Sequence, residues 1–246
     1  MKAAKNYVLR YAKAVADLVK EGGGKPFLTD CNTLYPGSRK NALDHLDCAQ
    51  ENGFNETTTG CHVIIGDGLR GTDDIVVPIE GGEYCKEAYI GRAIMDADVF
   101  ISLNHFKGHE ATGFGGALKN IGMGCGSRAG KMHQHNQGKP VVNEAACRNC
   151  KRCAMECGSD AISYESGKAV IDQDICKGCG RCIGACSFDA IYNPNGNANE
   201  ILGCKIAEYT KAVIDKRPNF HISLIVDVSP NCDCHPENDA PILPNI

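Results

Sequence analysis

The chain carries one cysteine pattern twice, and this repeat limits what its middle part can fold into. The segments CRNCKRCAMECGSDAI (residues 147–162) and CKGCGRCIGACSFDAI (residues 176–191) match cysteine for cysteine, and both end in DAI. Each has the spacing C-x2-C-x2-C-x3-C. Between them, AISYESGKAVI predicts a β-hairpin that turns at residues 165–167. We therefore expect a small unit with two equivalent halves over residues 141–198.

The spacing indicates two [4Fe–4S] clusters. Three thiolates at i, i+3 and i+6 on a tight loop can wrap one face of a cubic cluster, while the fourth cysteine ligates the neighbouring cluster. The predicted ligands are Cys147, Cys150, Cys153 and Cys186 for the first cluster, and Cys157, Cys176, Cys179 and Cys182 for the second. A pair of zinc sites is the alternative, but a four-cysteine zinc site would leave cysteines over.

Outside the repeat, helix-like and strand-like segments alternate. One helix is predicted before the glycines at residues 22–24, and a second within residues 38–53, with Ser38 as N-cap and an inner stripe of Leu43, Leu46 and Ala49. The predicted strands are KPFLTD, CHVIIG, DIVVPIE, DADVFISL and FHISLIVDV. A later helix has the apolar stripe Leu202, Ile206, Tyr209 and Val213.

These segments predict an α/β fold with a mainly parallel sheet and flanking helices. The α/β domain is discontinuous, with residues 1–140 and 199–246, and is interrupted by a small ferredoxin-like α+β domain that binds two [4Fe–4S] clusters over residues 141–198.

A glycine- and histidine-rich segment, residues 104–135, follows the predicted strand DADVFISL. Ligands usually bind where strands of an α/β sheet end, so an anionic ligand held by Lys107, His109 and Lys119 is one interpretation. The other is a tightly packed segment that docks the cysteine-rich unit against the sheet.

The remaining cysteines divide into two groups. The isolated ones in or beside apolar stretches are predicted to pack in the core: Cys31, Cys48, Cys61, Cys85 and Cys204. Three others would converge if the strands DADVFISL and FHISLIVDV run parallel, and they could hold a third metal or cluster: Cys125, Cys232 and Cys234. Its fourth ligand would be solvent or one of His105, His109, His133, His135 and His235. A reducible disulfide or unliganded thiols are the alternatives.

Family resemblances add to these predictions. The repeat is similar to the bacterial-type 2[4Fe–4S] ferredoxins, although Gly158 and Ser187 stand where that family usually has proline. The whole chain resembles the DUF362 family in GGKPFLTDCNTLYPGSR, in HFKGHEATGFGGALKNIGMGCGSRAGKMHQH, in the cysteine-rich insert and in CDCHPENDAPILP. This resemblance implies an α/β protein with an inserted ferredoxin domain. Such proteins are typically longer, so we expect truncation at both ends.

Composition and charge limit the kinds of partner and the compartment that we expect for this chain. A formal net charge of −4 gives no basic field for nucleic acid, and charged residues interrupt the first 25 residues too often for a signal peptide or membrane span. Sixteen cysteines predict a reducing cytoplasm and an anaerobic setting.

Three functions remain open at this point. The chain could carry electrons to or from a redox partner protein, or it could be a reductase acting on a small anionic substrate. Clusters with a purely structural role are the third possibility. An oligomer is compatible with all three.

Overall fold

The computed structural model of the protein describes residues 2–34, 37–109, 112–135, 139–157, 159–176, 178, 180–194, 199–230, 241 and 242. Cys179, Cys232, Cys234 and His235 lie outside these residues, so the predictions made for them stay predictions. No helix within the described ranges is both long and apolar enough to cross a membrane.

Helices and strands alternate along the chain, which confirms a mixed α/β fold. The helices of the described residues are α1 (Lys2–Glu21), α2 (Ala42–Glu51), α3 (Glu56–Thr59), α4 (Arg92–Met95), α5 (Ala117–Gly122), α6 (Arg128–Gln134), α7 (Arg152–Met155), α8 (Arg181–Ala185) and α9 (Asn199–Ile214). The strands are β1 (Phe27–Asp30), β2 (His62–Ile65), β3 (Asp74–Pro78), β4 (Glu87–Gly91), β5 (Phe100–His105), β6 (Lys107–His109), β7 (Gly113–Gly115), β8 (Val141–Val142), β9 (Ile162–Glu165), β10 (Lys168–Ile171), β11 (Ile191–Tyr192) and β12 (Asn219–Leu224).

The described strands pair two by two, instead of forming the mainly parallel sheet that the sequence predicts. Two pairs, β1–β2 and β5–β12, are parallel, and the other four are antiparallel. The pair β3–β4 shows why the prediction differs. Residues 79–86 join the two strands, which is too short for the crossover that a parallel pair needs. Strand β4 itself was not predicted, because Glu87 and Gly91 are unfavourable in strands.

The pair β5–β12 joins the two sequence segments of the α/β part, one before the cysteine repeat and one after it. Both strands were predicted, and they run parallel in a register from Phe100 opposite Asn219 to His105 opposite Leu224. Their carboxyl ends therefore lie at one edge. Helix α9 buries its predicted stripe of Leu202, Ile206, Tyr209 and Val213 completely or nearly so, which confirms that stripe.

Helix α2 corrects two predictions. Its N-cap is Asn41, whose side chain accepts from the backbone N–H of Leu43 and of Asp44, so Ser38 lies outside the helix. The predicted inner stripe is wrong as well, because Leu43 and Leu46 are exposed while Ala42 and His45 are buried. His45 faces inward because its Nε2 lies 3.6 Å from a carboxylate oxygen of Asp30, at the end of β1.

Two clusters of buried hydrophobic side chains form the interior. The first core comprises Cys31, Ile79, Cys85, Ala88, Ile90, Ile94, Ile121, Cys125, Tyr209, Ala212 and Val213. The second core comprises Leu34, Met132, Cys153, Ala169, Ile171, Cys182, Ile183, Cys186, Ala190 and Ile191. Most members of the second core come from the cysteine repeat, and Leu34 and Met132 connect it to the rest of the molecule.

The described residues of the glycine-rich segment form the antiparallel pair β6–β7 and helices α5 and α6. Its glycines allow close packing: a side chain on Gly122 would collide with the backbone of Ile206, and one on Gly130 with the backbone of Tyr89. The segment is therefore closely packed at these two positions, both against the α/β part, and its docking of the cysteine-rich unit stays a prediction.

The isolated cysteines behave in different ways. Cys31, Cys61 and Cys85 are buried, as predicted, and Cys48 is half-buried. Cys204 is exposed, which corrects the prediction for this residue. It lies two positions after Leu202 on α9, and so projects away from the buried stripe of that helix.

Candidate metal centre

The two halves of the cysteine repeat also share a backbone conformation. Equivalent positions are 29 residues apart, for example Cys147 and Cys176. Helices α7 and α8 occupy equivalent positions. Positive φ angles recur in equivalent pairs: Asn149 (54°) and Gly178 (70°), Lys151 (63°) and Gly180 (67°), and Asp160 (52°) and Asp189 (50°). A non-glycine residue in this left-handed region costs roughly 1 kcal/mol, so compensating contacts must hold the tight loops.

The strands of the repeat are exchanged between its halves. Strand β8, which opens the first half, pairs with β11, which closes the second, and β9 pairs with β10. The predicted hairpin is the β9–β10 pair, and it turns through Ser166 and Gly167, both with positive φ. Each half thus completes its strand pairing with the other half.

A surface cavity in this unit brings together the four cysteines predicted to hold the first cluster. The cavity is lined by Cys147, Arg148, Cys150, Lys151, Cys153, Tyr164, Ala169, Cys186, Phe188, Ala190 and Ile191. Among the residues that the structure describes, no three or more His, Cys, Asp or Glu side chains converge closely enough to hold a single metal ion.

Backbone amides point at the sulfur atoms in both halves. The N–H of Ala161 donates to the Sγ of Cys157, and the equivalent N–H of Ala190 donates to the Sγ of Cys186, both at 3.3 Å. Hydrogen bonds from backbone amides to cysteine sulfur are a recurrent feature of sites in which the sulfur binds a metal.

Cys147 shows the electrostatic effect of such donors. Its Sγ accepts from the N–H of Ala169 at 3.5 Å, and this bond, together with the amide of Asn149, lowers the pKa of the Cys147 thiol. The sulfur of Cys153 lies 3.3 Å from the hydroxyl of Tyr164, and burial together with this contact raises the pKa of Tyr164.

The second predicted set is described for three of its four cysteines. Cys182 is buried, and Cys157 and Cys176 are half-buried. The Sγ of Cys176 accepts from the N–H of Gly178 at 3.4 Å. Cys179 lies outside the described residues.

The predicted third site is described only at Cys125. Its side chain is buried in the first core, and burial raises the pKa of its thiol to about 12. The parallel strands that the prediction assumed are present as β5 and β12. Two of the proposed histidines have structural hydrogen bonds: the Nε2 of His105 lies 2.6 Å from the carbonyl of Val226, and the Nδ1 of His133 lies 2.8 Å from the hydroxyl of Tyr209.

The predicted anion-binding residues lie near one another in the glycine-rich segment. A side chain placed on Gly115 would meet the Cε of Lys107 at 3.3 Å and the Cδ of Lys119 at 3.6 Å. Burial, helped by the nearby charges of Lys119, Lys131 and His109, lowers the pKa of His135 to about 4. Positive charge is thus concentrated at the edge where β5 ends.

Sequence reasoning missed the junction between the α/β part and the cysteine repeat. The guanidinium of Arg128 is buried against Gly184 on α8 and donates to the carbonyl of Lys40. The Nζ of Lys40 in turn donates to the carbonyl of Cys186 at 3.1 Å and forms an ion pair with Asp189. No local sequence pattern indicates that Arg128 and Lys40 would meet the cysteine repeat.

A second ion pair spans the same junction, between Arg70 and Glu156. Beneath it, the carboxylate of Asp67 accepts from the backbone and side-chain nitrogens of Asn32 at 2.9 and 2.8 Å. Burial raises the pKa of Asp67, and Lys131 and Arg128 oppose this shift. The junction with the cysteine repeat therefore contains buried charged side chains, among them Asp67 and Arg128.

Comparison with known proteins identifies the family of the chain. No curated protein matches it. The model of the family described as "Domain of unknown function (DUF362)" matches residues 3–246, which is nearly the whole sequence. The chain belongs to the DUF362 family.

Proposed function

We propose that this protein binds two [4Fe–4S] clusters and transfers electrons to or from a site in its α/β part. The observation that carries the proposal is the cavity lined by Cys147, Cys150, Cys153 and Cys186. The first three cysteines come from the first half of the repeat and the fourth comes from the second half. Cys157, Cys176, Cys179 and Cys182 would hold the second cluster.

The residues around the cavity fit such a cluster. A four-iron cluster takes four thiolates, and the cavity is lined by three cysteines from the first half of the repeat and one from the second. When bound, the clusters would supply one-electron transfer. The amides of Ala161, Ala169 and Ala190 would stabilise the thiolates, and the side chains of Phe188 and Ile191 would limit the access of water.

The exchanged strands support the finer fold proposal, which is a ferredoxin-like α+β unit over residues 141–198 inserted into an α/β domain. So does the second core, whose members come mostly from that unit. The predicted cytoplasmic location and anaerobic setting belong to the same proposal.

Anaerobic reconstitution with iron and sulfide tests the cluster assignment. We expect about eight iron and eight sulfide per chain, and a spectrum that dithionite bleaches reversibly. Cys186→Ser should lower the iron content and change the signal of one cluster, while the exposed Cys204→Ser should leave both unchanged. Bound zinc without sulfide would contradict the cluster proposal. Clusters that resist reversible reduction would instead favour the structural role.

A second candidate is a reductase that binds a small anionic substrate at Lys107, His109 and Lys119. The proximity of Lys107 and Lys119 across Gly115 favours it. Isothermal titration with phosphate and with succinate provides the test. Binding that is lost in Lys119→Met but kept in the exposed-site control Lys25→Met would support this candidate. Equal binding by both variants, or no binding by the native protein, would count against it.

A further inference from the structure

The opening of the four-cysteine cavity is surrounded by positive charge, although the whole chain has a formal net charge of −4. Arg148 and Lys151 line the cavity, and both are exposed. Arg152 follows at the start of α7 and is exposed as well. We call Arg148, Lys151 and Arg152 the basic rim.

The charges of the basic rim are not neutralised locally. Within the part of the chain that the structure describes, none of its three members has a carboxylate within the 4.0 Å of an ion pair. Arg152 donates to the hydroxyl of Ser187 at 3.0 Å, and the Nζ of Lys151 lies 5.8 Å from the centre of the Tyr164 ring. Both contacts hold the side chains in place and leave their charge intact.

Nearby carboxylates do not cancel this field. Glu156, on the same loop, is paired with Arg70, and Asp189 is paired with Lys40. Glu144 is exposed and lies close enough to Cys147 to oppose the lowering of its pKa. Of these three carboxylates, only Glu144 has no ion pair among the described residues, so the three cations of the basic rim outnumber it.

Apolar surface accompanies the charge. Phe188 lines the cavity with about half of its surface exposed (47%), and Met155, at the end of α7, is 83% exposed. Cys150, a predicted ligand, is exposed on the same loop. Exposed aromatic and Met side chains together with Arg are the composition expected of a protein–protein interface.

We propose that this face is the docking surface for an acidic redox protein, such as a small flavoprotein, which exchanges electrons with the centre held by Cys147, Cys150, Cys153 and Cys186. The inference rests on the proposed function. In the exchange, the reduced flavin of the partner would give up one electron, and the [4Fe–4S] cluster that these four cysteines would hold would accept it; no bond is formed or broken. A protein partner is favoured over nucleic acid because the rim has only three cations, is accompanied by exposed apolar side chains, and belongs to an acidic chain.

Charge-reversal variants test the docking. Arg148→Glu with Lys151→Glu reverses two rim charges and keeps every cysteine and the Arg152–Ser187 bond. Arg10→Glu with Lys216→Glu changes the net charge equally, at exposed positions on α1 and beyond α9. Each reconstituted protein is mixed anaerobically in a stopped-flow instrument with an acidic flavodoxin in its hydroquinone form, from low to high ionic strength.

We expect the second-order rate constant of the rim variant to fall at least tenfold at low ionic strength, against less than threefold for the control variant. The rates should converge at high salt, where charges are screened over about 3 Å. A change in reduction potential would keep the rates of the native protein and the rim variant different at high salt. Rates that become equal at high salt therefore indicate an effect on docking. With the basic acceptor cytochrome c, the rim variant should react faster than the native protein.

Several results would overturn the proposal: equal losses in both variants, a loss that does not depend on salt, or rim-dependent binding of a single-stranded oligonucleotide with unchanged flavodoxin kinetics. Reduction by dithionite is measured on every preparation. If dithionite reduces the protein but the rim variant reacts with flavodoxin as fast as the native protein, only the docking surface is refuted. A protein without a reducible cluster removes the proposed function and this inference with it.

Discussion

Gly184 lies on α8 where the buried guanidinium of Arg128 leaves no room for a side chain. We expect Gly184→Ala to destabilise the protein by about 1–3 kcal/mol, because Arg128 cannot move without breaking its buried contacts. For a chain of this size, each kcal/mol lowers Tm by about 2–4 °C. Gly203, on α9, is the matched control, since a methyl group there would meet nothing within 4 Å. Gly203→Ala should leave Tm unchanged or raise it, and similar losses in both variants would contradict the packing argument.

His135 should make stability depend on pH. Its pKa falls from an ordinary value near 6.5 to about 4 in the folded protein, mainly because the side chain is buried. Between these values the unfolded chain binds a proton that the folded chain does not, so stability is lost as the pH falls below about 6.5. From pH 7.5 to 5.5 the native protein should lose about 1 kcal/mol more than His135→Gln, measured by thermal unfolding.

His62, which is exposed, provides the control for this experiment. His62→Gln removes a histidine without touching the buried site. Identical pH dependence of Tm in the native protein and in His135→Gln would refute the assignment to His135.

At the scale of elements, the N-terminus of α2 offers a direct comparison between the sequence and the structure. Asn41→Ala should cost about 1 kcal/mol, because its side chain satisfies two backbone N–H groups of the first turn. Ser38→Ala, at the position predicted from the sequence, should change stability by less than about 0.5 kcal/mol. Urea unfolding of both variants decides the matter, and a larger loss for Ser38→Ala would show that the cap is misplaced.

The contrast between α9 and α2 shows what periodicity can predict. The stripe of α9 is buried because that helix packs against the first core, so the apolar pattern and the environment agree. On α2, the contact of His45 with Asp30 and the hydrogen bond from the N–H of Ala42 to Leu69 turn another face inward. Both contacts join residues far apart in the sequence, and no local pattern announces them.

For the whole molecule, removal of the proposed clusters should act unequally on the two cores. Three members of the second core, Cys153, Cys182 and Cys186, are proposed ligands, whereas the first core has none of the eight. In protein stripped of iron by a chelator, we expect amide hydrogen exchange to accelerate across residues 141–194, while β5, β12 and α9 stay protected. The protein with its iron retained is the control. A uniform loss of protection would contradict two separable cores.

Features of the candidate site that depend on a short stretch of sequence could be predicted, whereas features that depend on long-range contacts could not. The repeat at Cys147 and Cys176 sets the cysteine spacing within a few residues, so the cavity lined by four cysteines could be anticipated. The junction of Arg128, Lys40 and Gly184 could not, because it depends on side chains that only the folded chain brings together. The pairing of β3 with the unpredicted β4 was missed for the same reason.

The parallel pair β5–β12 has a consequence for synthesis of the chain. It joins residues as distant as Ser102 and His221, 119 positions apart, with the whole cysteine repeat between them. At the usual speed of translation, roughly 6 to 24 s separate the emergence of the two strands from the ribosome. Both exchanged strand pairs of the repeat are complete before β12 has been made. The cysteine-rich unit can therefore finish its own folding while the surrounding α/β part is still open on the nascent chain.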